Sequence, residues 1–193
     1  MAVLLFDVMD TLVWDPFRLL PEHFQLSFPD LMTQKHPTAW LRFERGELDH
    51  AGFCREFFLD GRTVDAQALR KLLCDNYRFL PGIPELLRDL RQAGHELHAF
   101  SNYPEWYAWI ESKLELSRYL HWTFVSCRTG LRKPDPRAYE QAIQTLAGRG
   151  RSELWFIDDR ESNVVAAREA GLNAIPFTDV TQLRAALRSS RLL

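Results

Sequence analysis

The sequence predicts an α/β fold: a doubly wound parallel sheet, with a small all-helical insertion after the first strand. Along residues 81–193, short apolar runs of strand length alternate with amphipathic helical stretches, which is typical of βαβ units. Between the first apolar run and residue 80, strand-like runs are absent and apolar residues recur at helical spacing. We therefore expect a core domain of residues 1–16 and 81–193 and a helical domain of residues 17–80.

The first strand is predicted by the apolar run from Val3 to Phe6. So short a continuous run indicates a strand that is buried on both faces. Asp7 follows directly, at the carboxyl end, where open α/β sheets bind their ligands. A carboxylate at this position is either a catalytic or ligand-binding residue or a cap of the next turn. The residues at the other strand ends distinguish these two roles.

The insertion contains several short helices, because turn signals interrupt it at Phe28-Pro29, His36-Pro37 and Asp60-Gly61. Pro81-Gly82 ends the insertion.

After the insertion, Gly94 and Gly171 provide helix stops. The predicted helices are Ile83–Ala93, Glu105–Lys113, Pro136–Leu146, Ser162–Ala170 and Val180–Leu187, and the predicted strands are His95–Phe100, Trp122–Val125, Leu154–Ile157 and Ala174–Phe177.

The composition is that of an ordinary globular protein, 46% hydrophobic and 26% charged in 193 residues. A formal net charge of −2 favours neither nucleic acid nor an anionic membrane as a partner. No apolar run approaches the ~18 residues of a membrane span. The cysteines Cys54, Cys74 and Cys127 lack metal or disulfide spacing. Without a leader-like segment, we expect a cytoplasmic protein; its oligomeric state is not determined by the sequence.

Polar residues stand at four predicted strand ends or the loops beside them. They are Asp7 to Thr11, Ser101-Asn102, Lys133 within Arg132 to Pro136, and Asp158-Asp159 followed by Asn163. The carboxyl ends of parallel strands share one edge, so these groups are expected to meet there. This set of groups suits phosphoryl transfer with a divalent metal, because it contains a carboxylate, a hydroxyl, an ammonium and a carboxylate pair. Individually, the same residues fit helix caps and a solvated turn.

Taken together, these four motifs resemble those of the haloacid dehalogenase superfamily of hydrolases. The insertion is similar to the small helical cap of that superfamily. The resemblance implies that Asp7 is a nucleophile forming an aspartyl-phosphate, and that Ser101, Asn102 and Lys133 hold the phosphoryl group of a small substrate.

The resemblance also implies a Mg²⁺ site formed by Asp7, the carbonyl of Met9, Asp158 and Asp159. At i, i+4 spacing, Asn163 would steady Asp159. A helix starting after Asn102 would add its positive end.

Met9 departs from the pattern of phosphatases in this superfamily, which have a second aspartate at this place as the general acid and base. A thioether transfers no proton, and the loss of such an acid typically costs ~10²–10⁴-fold in rate. Asp10 one residue later, a group of the cap, or the substrate itself would then supply the proton. Alternatively, the protein is a catalytically impaired phosphate-binding or scaffold protein. A metal-independent 2-haloacid dehalogenase is a further alternative, which the pair Asp158-Asp159 disfavours.

A closer resemblance is to the chloroplast flavin mononucleotide (FMN) hydrolase group, which shares Met9. It is carried by Phe6 to Thr11, Lys35 to Trp40, Phe57-Phe58 with Asp60 to Arg62, and Asn102 to Pro104 with Trp106-Tyr107. It implies hydrolysis of FMN to riboflavin and phosphate, with the flavin ring bound by the cap. Candidates for stacking are Trp14, Phe17, Trp40, Phe43, Phe58 and Tyr103, and candidates for polar contacts are Arg42, Arg45 and Arg62. Each of these also fits a core position or a solvated helix face.

Overall fold

The computed structural model describes all residues from Met1 to Leu193. Its five strands form one parallel sheet in the order β3-β2-β1-β4-β5. They are β1 (Val3–Phe6), β2 (Glu96–Ser101), β3 (His121–Val125), β4 (Leu154–Asp158) and β5 (Asn173–Pro176). The predicted α/β class is confirmed.

The central strand β1 is the point where the strand order reverses. It pairs with β2 on one side and with β4 on the other, so that Phe6 is in register with Ala99 and Ile157. The chain runs outward through β2 and β3 and then crosses back to β4 and β5. In open α/β sheets, ligands bind outside the carboxyl ends of the strands at this switch point. Asp7 lies there because it directly follows β1.

Helices connect the strands, and one helix follows the last strand. They are α1 (Leu20–His23), α2 (Phe28–Gln34), α3 (Ala39–Glu44), α4 (His50–Glu56), α5 (Ala66–Asn76), α6 (Ile83–Gln92), α7 (Tyr107–Leu114), α8 (Ser126–Thr129), α9 (Pro136–Thr145), α10 (Glu161–Glu169) and α11 (Val180–Ser189). Short 3₁₀ turns cover Pro16–Leu19, Leu116–Arg118 and Arg151–Glu153.

The sheet is covered on both faces. Leu4 and Phe6 belong to one hydrophobic cluster, which also takes residues from α6, α7 and α11. Val3 and Leu5 point to the opposite face and belong to a second cluster with residues of α9 and α10. Alternate side chains of β1 therefore reach different layers, as expected for a strand buried on both sides.

The helical insertion shares the first of these clusters with the sheet. Phe53 of α4 and Leu69 of α5 are fully buried in it. Trp106, also fully buried, lies 5.0 Å from Phe43 and 5.4 Å from Phe53, ring centroid to ring centroid. The insertion is thus packed onto the core through apolar contacts. The division at residues 17–80 stays a prediction.

A second contact joins α3 to the short helix α8. The hydroxyl of Ser126 donates to the carbonyl of Glu44, the last residue of α3. Gly46 follows at φ 75°, and a Cβ there would lie 2.3 Å from the carbonyl oxygen of Cys127. Only glycine permits so close an approach in this backbone conformation. The end of α3 is therefore fixed against the core.

The predicted elements are present, with ends shifted by one or two residues, and α8 was not predicted. The most consequential shift is at α7, which begins at Tyr107 rather than Glu105. Residues Pro104 to Trp106 form a turn. The expectation of a helix N-terminus immediately after Asn102 is therefore wrong, because i→i+3 hydrogen bonds from Tyr107 to Pro104 and from Ala108 to Glu105 form turns before the helix begins. None of the helices combines the length and apolar character needed to cross a membrane.

Alanine at Gly46 tests the fixed end of α3. Gly61 is a matched control, because it has φ 79° but no atom within 4 Å of an added Cβ. Gly61→Ala should lower the free energy of unfolding by about 1–2 kcal/mol, the cost of the left-handed backbone alone. Gly46→Ala should cost a further ~1–3 kcal/mol through the clash with Cys127. Urea unfolding of both variants measures the difference, and equal losses would contradict the close approach.

Candidate active site

A buried lysine between two carboxylates forms the centre of the site. Lys133 Nζ donates to Asp7 Oδ1 at 2.8 Å and to Asp158 Oδ2 at 2.6 Å. Asp7 follows β1, Asp158 ends β4, and Lys133 lies in the loop between α8 and α9. The side chain of Lys133 is only 1% exposed, and Asp158 is fully buried. The three predicted motifs that contribute these residues therefore meet at one edge of the sheet.

Burial and charge act in opposite directions on this group. Burial raises the pKa of Asp7 to about 7, although Lys133 opposes the rise. Burial alone would lower the pKa of Lys133, but the adjacent Asp158 and Asp7 raise it above its ordinary value. Lys133 therefore stays cationic, and its charge makes a buried carboxylate at Asp7 tolerable.

Asp7, Asp158 and Asp159 form a cluster that fits a divalent cation. Their carboxylate oxygens lie within 4.8 Å of one another. Hard oxygen donors at such spacing suit Mg²⁺, which needs few protein ligands because it keeps several waters. Burial raises the pKa of Asp159, and the neighbouring Asp158 raises it further. A single lysine leaves negative charge in the cluster uncompensated, which a cation would neutralise.

Asn163 stabilises Asp158 and not Asp159. Its Nδ2 donates to Asp158 Oδ1 and Oδ2, both at 3.0 Å. The expected pairing with Asp159 is wrong, because α10 begins only at Glu161 and helical i, i+4 spacing does not apply across the preceding turn. The backbone N–H of Arg160 also donates to Asp158 Oδ1. Asp158 is thus held by several hydrogen bonds in addition to Lys133.

Asn102 uses its side chain to hold the loop of Lys133. Its Nδ2 donates to the carbonyl of Lys133 at 2.7 Å, and its Oδ1 accepts the N–H of Lys133 at 2.8 Å. The neighbouring hydroxyl of Ser101 is buried without a hydrogen-bond partner, as is that of Thr11. Buried polar groups are normally paired, so an unpaired hydroxyl at a strand end indicates a site for a polar ligand.

Two adjoining cavities open at this edge. The inner one, about 20 Å³, is lined by Asp7, Met9, Glu44, Asn102, Lys133, Arg160 and Asn163. The outer one, about 450 Å³, is lined by Met9, Asp15, Phe17, Phe28, Met32, Lys35, Trp40, Glu44, Asn102, Tyr103, Arg132 and Arg160. Four residues line both: Met9, Glu44, Asn102 and Arg160. A small polar chamber therefore continues into a larger, partly aromatic one.

Three of the aromatic candidates lie at the outer cavity, namely Phe17, Trp40 and Tyr103. Two others do not line it. Trp14 packs under Arg78, with the guanidinium carbon 3.8 Å from its ring centroid. Phe43 is fully buried in the hydrophobic cluster.

The remaining candidates of the insertion also have other contacts. Arg42 forms a salt bridge with Glu56. Arg62 lies 3.8 Å over the ring of Phe58, and both line a separate cavity of the insertion. Arg45 lines another separate, polar cavity beside the Lys133 loop. The structure does not bring these residues to the site.

The side chain of Asp10, the candidate acid and base, also has its partners outside the two cavities. Its Oδ2 pairs with Arg18 at 2.6 Å, and its Oδ1 accepts the N–H of Asp15. It lines neither cavity. Its φ of 58° places it in a left-handed turn, which directs the side chain to this local pairing.

Several lining residues were not predicted from the sequence. Phe28 and Met32 lie at i and i+4 on α2, and this spacing was a usable signal of one shared face; Lys35 directly follows the helix. Glu44 and Arg132 form a salt bridge at 2.6 Å although 88 positions separate them. Neither residue stands at a predicted strand end, so the strand pattern that brought Asp7 and Lys133 together did not connect these two.

Comparisons with known proteins agree with this geometry. Residues 1–171 match the family of haloacid dehalogenase-like hydrolases. The chloroplastic flavin mononucleotide hydrolase 1 of Arabidopsis thaliana is 44% identical over 184 residues, which cover 95% of this chain and 75% of that protein. A sesquiterpene phosphatase of Aspergillus oryzae is 27% identical over 161 residues, covering 80% of each chain.

A solved enzyme of Bacteroides thetaiotaomicron, described as a member of the same family, shares the fold. It superposes with a TM-score of 0.77 at 22% identity, over 95% of this chain and 98% of that one. The same enzyme has also been solved as a magnesium complex. The family match over most of the chain, the relative at 44% identity and the shared fold lead to one conclusion: this protein belongs to the haloacid dehalogenase-like hydrolases.

Proposed function

We propose that the protein is a Mg²⁺-dependent phosphatase that hydrolyses FMN to riboflavin and inorganic phosphate through an aspartyl-phosphate at Asp7. The observation that carries the proposal is the position of Asp7, held against Lys133 at the base of a cavity that widens into an aromatic chamber. The FMN hydrolase relative at 44% identity supports the choice of substrate.

The residues of the chain suit the two displacements of such a reaction. Asp7 presents a carboxylate oxygen to the phosphorus, which divides one difficult displacement into two easier ones. Lys133 offsets the repulsion between this carboxylate and an anionic phosphoryl group, and the unpaired hydroxyl of Ser101 is available to an equatorial oxygen. Asn102 keeps Lys133 in place through its backbone. Mg²⁺ at the three carboxylates would supply charge stabilisation and alignment of the phosphoryl group.

The outer cavity suits the flavin. Its volume of about 450 Å³ lies within the usual range of small-molecule sites. Phe17, Trp40 and Tyr103 provide apolar ring surface, while Lys35 and Arg160 add positive charge. Phe28 is 61% exposed at this cavity, which is unusual for a large apolar side chain and fits a contact with a planar ring.

The alternatives fit the site less well. A metal-independent dehalogenase would not need the clustered carboxylates of Asp7, Asp158 and Asp159. An inactive phosphate-binding protein would not need a nucleophile and a lysine in this arrangement. The predicted cytoplasmic location stays open, because the Arabidopsis relative is named as chloroplastic.

Replacement of the nucleophile tests the covalent route. Asp7→Asn should lower turnover of FMN by at least about 10³-fold, since the residue forms the intermediate. Wild-type protein that is quenched in acid during turnover should carry phosphate on Asp7 by peptide mass spectrometry, and the variant should not. Asp10→Asn is the matched control; it removes a carboxylate that lines neither cavity and should turn over as the wild type does. Intact turnover in Asp7→Asn would refute the mechanism.

Removal of the metal tests the cofactor and the substrate together. Phosphate release from FMN, sugar phosphates and nucleotides should require Mg²⁺ and stop in EDTA, with FMN the preferred ester. Mg²⁺ alone should also raise the melting temperature, because a ligand that binds only the folded state stabilises it. Release that persists in EDTA would exclude the metal, and preference for another ester would retain the chemistry but exclude the flavin.

Truncation of Phe28 tests the ring contact. Loss of one aromatic contact of about 0.5–1.5 kcal/mol should raise KM for FMN about two- to tenfold in Phe28→Ala. KM for a small ester such as glycerol phosphate should not change. Leu59→Ala is the matched control, since Leu59 is 58% exposed and lines neither cavity. An equal change in KM for both esters would count against stacking by Phe28.

A further inference from the structure

The proposed reaction needs a proton donor that residue 9 does not supply. Riboflavin leaves FMN as an alkoxide unless its oxygen is protonated, and the thioether of Met9 has no proton to give. In the second half of the reaction, the attacking water must also lose a proton. If the proposed function holds, one side chain near the phosphoryl group must perform both transfers.

The cavities limit the choice to two acidic side chains besides Asp7. Asp15 lines only the outer cavity, whereas Glu44 lines both. The bond to be broken joins the phosphoryl group, which belongs in the inner cavity, to the organic group in the outer one. Its oxygen must therefore lie where the two cavities meet, and Glu44 is the acid found at this junction.

The surroundings of Glu44 suit a group that exchanges protons. Its side chain is 6% exposed, and Arg132 binds only its Oε2, through both Nε and Nη2 at 2.6 Å. No hydrogen bond from Arg132 reaches Oε1. Burial raises the pKa of Glu44, while Arg132 and, more weakly, a hydrogen bond from the Trp40 side chain and the charge of Arg160 oppose the rise. Besides Glu44 and Arg160, the charged groups that line the inner cavity are Asp7 and Lys133, which pair with each other. Asp15, Lys35 and Arg132 line only the outer cavity.

We propose that Glu44 is the general acid and general base of the reaction, contributed by the helical insertion in place of residue 9. As Asp7 forms its bond to phosphorus, the bond from phosphorus to the riboflavin oxygen breaks, and that oxygen takes the proton of the Glu44 carboxyl group. Water then attacks the phosphorus and gives a proton to the Glu44 carboxylate, and the bond to Asp7 breaks. Phosphate leaves, and both side chains regain their initial states.

Arg132 would assist by stabilising the carboxylate form that exists between the two transfers. A charge-assisted pair with a carboxylate is stronger than a neutral hydrogen bond. The contact at Oε2 also fixes the rotamer of Glu44 so that Oε1 can face the reacting oxygen. Arg132 is a positioning residue in this scheme.

Two esters with different leaving groups test the proposal. Glu44→Gln should lower kcat for FMN by ~10²–10⁴-fold, because an alkoxide needs the acid. With p-nitrophenyl phosphate, whose leaving group departs unprotonated, the variant should release one equivalent of nitrophenolate per active site in a burst. Slow turnover should follow, because the phosphorylated Asp7 lacks its general base. Intact mass spectrometry should show the phosphorylated variant accumulating, and the pH dependence of kcat should lose the limb due to Glu44.

The controls separate the outcomes. Equal losses on both esters without a burst would show a structural role for Glu44 and overturn the proposal, as would wild-type rates in Glu44→Gln. Asp15→Asn should show no burst, and a burst there instead would transfer the role to Asp15. If Glu44→Gln does not fold because Arg132 is left unpaired, the double variant Glu44→Gln with Arg132→Gln provides the same comparison. Failure of the wild type on every ester would refute the proposed function itself.

Discussion

The structure depends on one buried ion pair network, in which the ammonium of Lys133 lies between Asp7 and Asp158. Removing one partner of a buried ion pair typically costs about 3–5 kcal/mol, because the remaining charge stays desolvated. The surrounding contacts therefore act to keep all three groups in place. Asn102 holds the backbone of Lys133, and Asn163 holds the carboxylate of Asp158. A buried ion pair often stabilises a fold no better than well-packed apolar residues, so stability alone does not explain this network and its place at the cavity points to chemistry.

The sequence predicted the members of this network because their positions follow from local pattern and topology. An apolar run fixes where a strand ends, and parallel pairing brings the strand ends to one edge. Asp7 and Asp158 were identified in this way, and Lys133 by the motif that contains it. The fold class and most helices and strands followed from the same periodicities, with errors of one or two residues where end turns compete with the helix, as at Pro104.

The parts that could not be predicted depend on tertiary contacts. Whether an arginine of the insertion faces the cavity or a neighbouring carboxylate is decided by packing, as Arg42 shows by pairing with Glu56. Trp14 and Trp40 look equivalent in the sequence, but only Trp40 lines the outer cavity. The partner of Glu44 lies on another part of the chain, so neither its burial nor its place at the junction is visible in local pattern.

If Glu44 performs the proton transfers, catalysis depends on how the insertion is seated on the core. The nucleophile and its lysine belong to the sheet edge, whereas Glu44 ends helix α3 of the insertion. Its position is set by the hydroxyl of Ser126, by the close approach of Gly46 to Cys127, and by Arg132. An acid at residue 9 would be held by the strand-end loop alone. Transferring that role to α3 makes proton transfer possible only when the insertion is docked, which is also when the outer cavity is complete around the substrate.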